Sequence, residues 1–154
     1  MTSIKYEDIY SDFLGNMSDY QLASLNISDA YELMTEYLQK GMRQSYVRDL
    51  FSTLTYDKEV QTLSYELIDV IDEERDKEFV LGVLSKAMVV EWLKPQVRNK
   101  LNVAQVFGTR ESKFFSQQSH LSEIRGLLED TELELRKEFR DRSSLHNSYI
   151  GGVQ

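Results

Sequence analysis

The residues best suited to chemistry are few and widely spaced. His120 and His146 are the two histidines. They lack the close His-x-His or His-Glu-x-x-His spacing that puts two ring nitrogens on one metal. His120 falls where a helix should start and reads as a surface residue near a cap. Cysteine is absent, which removes thiolate metal sites, thiol catalysis and a disulfide framework. Asp72, Glu74 and Asp76 stand at alternate positions, like the first ligands of a calcium-binding loop. That loop needs glycine at its sixth position and glutamate at its twelfth. This chain has Lys77 and Val83 there, so the acidic run reads as a solvated turn that caps the next helix. Glu129 and Asp130 could supply an acid and a base, but neighbours on a helix point in different directions. No Gly-x-Ser-x-Gly elbow occurs, and Gly108 is too isolated to form a phosphate-cradling loop. The expectation is a protein that is not an enzyme, with no catalytic residue, metal or cofactor.

The elements that would carry these residues are mostly helices. One proline and seven glycines in 154 residues leave little to interrupt them. Apolar spacing predicts a short helix over 4–14, in which Ile4, Ile9, Phe13 and Leu14 share a face. A second helix is predicted over 28–42, begun by Ser28 and Asp29. Val47, Leu50, Phe51 and Leu54 follow helical spacing within 46–54. Residues 60–71 fit two patterns. Leu63, Tyr65 and Leu67 alternate as in a half-buried strand, while Val60, Leu63, Leu67 and Ile71 fit a helix. A lone strand needs a partner, which tips the reading toward helix.

A helix over 76–94 is apolar around a wide face and should be central. Pro95 should end or kink it. Residues 96–119 then lose their pattern and read as a short helix and an exposed loop near 102–118. The last long helix is predicted over 119–142, with Glu138 spaced to pair with Arg142. The tail SSLHNSYIGGVQ is polar and unpatterned, a C-terminal arm over 143–154. The fold class expected is mainly α: a small helical bundle with a long C-terminal helix, an extended loop near 102–118, and at most a short β element near 60–68. Residues 1–142 would form one domain.

The formal net charge is −8, which argues against long-range attraction to bulk nucleic acid or an anionic membrane. The charge is divided unevenly. Residues 1–77 hold 16 acids and 7 bases, and residues 78–154 hold 10 acids and 11 bases. Copies could therefore pack head to tail, acidic face against basic loop. The N-terminal residues lack the basic start and long apolar stretch of a secretion signal, so the chain is expected in the cytoplasm of the cell that makes it.

Several strings resemble one family. They are Trp92-Leu93-Lys94-Pro95-Gln96-Val97, Arg110-Glu111-Ser112-Lys113-Phe114-Phe115-Ser116-Gln117 and His120-Leu121-Ser122-Glu123 followed by Arg125-Gly126-Leu127-Leu128-Glu129-Asp130. The N-terminal run Tyr6-Glu7-Asp8-Ile9-Tyr10-Ser11-Asp12-Phe13-Leu14 fits as well. Together they resemble the small head–tail connector (adaptor) proteins of long-tailed phages of Gram-positive bacteria, from about residue 6 to about residue 142. The resemblance implies a non-enzymatic virion protein of the phage neck, made in the host cytoplasm. It implies a mainly helical subunit of a homo-oligomeric ring, typically of 12 copies. The ring sits below the portal protein, extends the DNA channel and offers a platform to the next neck, stopper or tail protein. Genomic DNA would pass without sequence-specific binding.

On this reading Arg110, Lys113, Phe114 and Phe115 are the candidate ring or portal contacts. Leu145, Tyr149 and Ile150 are candidate anchors of the tail. Two other classes stay open: a small cytoplasmic helical interaction or regulatory module, and an enzyme built on carboxylates in a concave pocket.

Overall fold

A computed structural model of the chain describes the backbone of residues 1–16, 27–106 and 111–146, and the side chains of residues 1–16, 30–98 and 122–142. The described residues are mainly helical, with a small three-stranded antiparallel sheet. The order is β1 (Thr2–Lys5), α1 (Tyr6–Gly15), α2 (Ile27–Arg43), α3 (Ser45–Arg48), β2 (Phe51–Asp57), β3 (Thr62–Leu67), α4 (Glu73–Val106) and α5 (Glu111–His146).

α4 is central, as its wide apolar face requires. Val80, Val83, Leu84, Ala87, Met88 and Leu93 are wholly buried. Each such side chain contributes about 1.5–3 kcal/mol by leaving water, apart from the small Ala87. α1 brings Ile9 and Phe13 to this core, α2 brings Met34, Leu38 and Met42, and α5 brings Ile124 and Leu135. α2 lies close against α4 because Gly41 faces Ala87; a Cβ built on Gly41 would stand 3.1 Å from that of Ala87. α4 and α5 run antiparallel. Asp76 meets Arg142, Phe79 meets Phe139, and Lys86 meets Glu138, so positions rise along one helix as they fall along the other.

The sheet order is β1-β3-β2. Thr2 pairs with Tyr65 and Ile4 with Leu63 on one side, and Leu54 pairs with Tyr65 and Tyr56 with Leu63 on the other. Ile4, Leu63, Tyr65, Leu67 and Phe51 are buried. Ser3, Thr55 and Ser64 share the opposite, polar face.

Several sequence expectations are corrected here. Residues 62–67 form the short β element allowed near 60–68 and not the helix toward which 60–71 leaned, because β1 and β2 supply the partners that a lone strand would lack. The helix predicted over 4–14 starts only at Tyr6, since residues 2–5 pair with β3. The spacing over 46–54 divides into a four-residue helix and the start of β2. Pro95 sits inside α4. Proline removes a backbone donor there, and the Gln96 side-chain amide donates to the neighbouring Trp92 carbonyl at 3.4 Å. The extended loop expected near 102–118 is helical through Val106 and again from Glu111. Polar composition lowers intrinsic helix preference only slightly, and neighbouring turns override it. α5 likewise continues past residue 142 to His146, so the proposed arm is helical at its start.

Candidate functional site

The most strongly built polar feature holds the two long helices together. Arg142 lies near the end of α5, and its guanidinium donates to Asp76 Oδ1 at 2.6 Å and to the Asp69 carbonyl at 2.6 Å. Its Cζ stands 4.3 Å from the centre of the Phe79 ring. The Asp76 carboxylate also accepts the Ile71 N–H at 3.2 Å. Both charged side chains are about nine-tenths buried. The acidic run is therefore not simply a solvated turn. Asp72 caps α4 by accepting the Arg75 N–H at 2.8 Å, while Asp76 faces inward to receive Arg142.

A second polar group crosses the bundle. Lys86 pairs with Glu138, replacing the Glu138–Arg142 pair expected from helical spacing. Ser85, fully buried, donates to Asp12 Oδ2 at 2.5 Å and so ties α4 to α1. Glu91 accepts from Gln44 at 2.8 Å and from Lys94 at 3.0 Å. Each contact joins different elements or stiffens α4, and together they fix its rotation and height. They position the scaffold rather than converge on a reacting centre. Among the described residues, no three histidine, aspartate or glutamate side chains gather to hold a metal ion. None of the described helices is long and apolar enough to cross a membrane.

Burial governs the tyrosines. It pushes the Tyr6 hydroxyl up to about 12, with help from Tyr10, Tyr56 and Asp57. It pushes Tyr46 up to about 12, reinforced by the carboxylates of Glu91 and Glu132. Tyr10 and Tyr65 are also raised, chiefly by burial. These phenols stay protonated at neutral pH, and their rings serve as packing. Tyr46 meets Phe139 edge-on at 6.0 Å, and Phe79 meets the same ring at 6.3 Å.

The candidate contact residues from the sequence divide as follows. Lys113, Phe114 and Phe115 belong to the first turns of α5, not to a loop, and their side chains lie outside the described residues. Leu145 is in the last turn of α5, its side chain likewise outside them. Arg110, Tyr149 and Ile150 lie outside the described residues altogether.

The described surface offers other features that spacing alone did not reveal. A groove of about 250 Å³ lies beside β2, between Leu54 and Tyr56 and the end of α2. Arg43 and Arg48 flank it, both exposed. Ile68 and Val70, between β3 and α4, are 61% and 65% exposed. No sequence periodicity exposes such a pairing, because the groove exists only once the strand lies beside the helix end. The one available signal was composition: two arginines close together in an acidic half.

No protein-family model, curated protein or solved structure matches this chain.

Proposed function

We propose that this chain is a structural subunit of a phage neck, a head–tail connector that assembles as a ring below the portal. One observation carries the reading beyond the sequence resemblance. α4 and α5, of 34 and 36 residues, are antiparallel and clasped to one another by Asp76–Arg142 and Lys86–Glu138. At 1.5 Å per residue each of these helices spans about 50 Å. A pair of helices of that length is suited to reach a neighbouring subunit or the portal.

Charge supports the same reading. An acidic ring presents a wall that repels phosphate, so passing DNA slides rather than adheres. The polar clasps described above suit a scaffold that must keep its helices in fixed register while neighbours pull on it.

The test uses the tagged chain as bait in a lysate of infected host cells, with the bound material imaged by electron microscopy. DNA-filled heads or portal rings bearing an extra collar are expected. Capture of a single soluble host protein, or of nothing, would overturn the connector reading.

A further inference from the structure

The groove beside β2 and the segment between β3 and α4 answer one another chemically. Among the described residues β2 is an edge strand, paired with β3 alone. Leu54, Tyr56 and Met42 supply the apolar part of the groove lining. Arg43 and Arg48 stand at its rim and make no ion pair with any described residue. Two guanidinium groups without an ion-pair partner among the described residues are conspicuous in a half of the chain that carries 16 acids and 7 bases. They mark a place where an acidic group from elsewhere is favoured.

The connection 68–72 has the opposite character. Ile68 and Val70 are more than three-fifths exposed and flank Asp69. The Asp69 carboxylate makes no ion pair with a described residue, although its backbone carbonyl accepts from Arg142. The backbone of this segment is fastened at three points. Ile68 N–H donates to Leu50, Asp69 carbonyl accepts from Arg142, and Ile71 N–H donates to Asp76. Two apolar side chains and a carboxylate are thus held outward on a fixed frame, which lowers the ordering cost of binding.

We propose that this segment of one copy docks in the β2 groove of a second copy. Ile68 and Val70 meet the apolar lining, and Asp69 meets Arg43 and Arg48. The two surfaces are different, so the contact is heterologous, and each copy both gives and receives. Such contacts close into rings or run on as filaments. The proposal deepens the connector reading by naming the subunit contact, and it rests on that reading for its biological setting.

The test is analytical ultracentrifugation of the full chain. The wild type should associate with rising concentration, and added salt should weaken the association. Arg43→Glu with Arg48→Glu, and separately Ile68→Lys with Val70→Lys, should each weaken it by about tenfold or more. All four positions are exposed, and unchanged circular dichroism verifies folding. Mixing the two variants in equal amounts should restore association, because the unaltered segment of the first meets the unaltered groove of the second. The neutral pair Arg43→Gln with Arg48→Gln should weaken association without introducing repulsion. A wild type that stays monomeric to its highest soluble concentration overturns the proposal. So does either charge-reversed variant associating like wild type, or a mixture that stays monomeric. A monomeric chain that still captures portal-bearing heads would end this inference and leave the connector reading standing. An associating chain that captures no heads would do the reverse.

Discussion

Replacing Arg142 by Met tests whether the α4–α5 clasp holds the fold. The substitution keeps an unbranched apolar stem beside Phe79 but removes the guanidinium. Asp76 would be left about nine-tenths buried, with the Ile71 N–H still bonded to it but no cation. Removing one partner of a buried ion pair costs about 3–5 kcal/mol, because the other charge stays buried. The lost cation–π contact with Phe79 adds about 0.5–1 kcal/mol. The expected loss is about 4 kcal/mol, a large share of the roughly 5–15 kcal/mol that holds a typical domain. At about 2–4 °C per kcal/mol for a chain of this size, Tm should fall by about 8–16 °C. Urea titration followed by circular dichroism measures the same loss in free energy. Adding Asp76→Asn to Arg142→Met should recover part of it, since no buried charge is then orphaned. A loss below about 1 kcal/mol in Arg142→Met, or no recovery in the double variant, would refute the clasp as a main support.

Two glycines on helices should respond in opposite directions. Gly41→Val drives a branched side chain into Ala87, whose side chain and backbone both lie within 3.4 Å of the ideal Cβ, and should cost about 1–3 kcal/mol in urea. Gly126→Ala meets nothing within 4 Å and should gain up to about 1 kcal/mol from helix preference. Alkaline titration of the nine tyrosines, read by tyrosinate absorbance, should find Tyr6 and Tyr46 among the last to ionise. Their folded values of about 12 exceed the unfolded value of 10.0, so the unfolded chain releases these protons first. Their contribution to stability should therefore be complete below pH 10 and decline as pH rises toward 12. If the connector proposal holds, Phe114→Ser with Phe115→Ser should block incorporation into particles while leaving the melting of the monomer near wild type. Normal incorporation would remove these residues from the contact.

The central helix was legible because its apolar residues are dense and numerous, and α2 because its spacing persists over several turns. β1 was not. Ile4 continues the apolar face of Ile9 and Phe13, and a four-residue strand is too short to impose its own period. Its existence depends on β3, which is remote in sequence but adjacent in space. Pro95 does not end the helix, one of the two outcomes expected of it, for a related reason. A proline stops a helix when nothing else holds the following turn, and here the helix resumes with Gln96 bonded back to Trp92. Arg142 shows the same limit in side chains. Its spacing from Glu138 suggests a local pair, yet antiparallel packing brings Asp76 to it instead. Local rules describe the pairs a helix can make alone, and tertiary contacts select among them. Of the candidate site, the sequence exposed the charge division but not the groove, which is formed by a strand edge and a helix end from separate stretches.

The unbroken run of α4 through Pro95 has a mechanical consequence. A helix of 34 residues is about 51 Å long, and its clasped start is fixed by Arg142. A tilt of about 5° about that end carries the other through about 4.5 Å, most of the roughly 5.4 Å pitch of a helical turn. The clasp is then a fulcrum and the helix a stiff beam. A load applied at the far end reaches the sheet-side connection, and the exposed Ile68 and Val70 beside it, as a small rotation. Adjusting the fit at one end would shift what is presented at the other, without unfolding anything between.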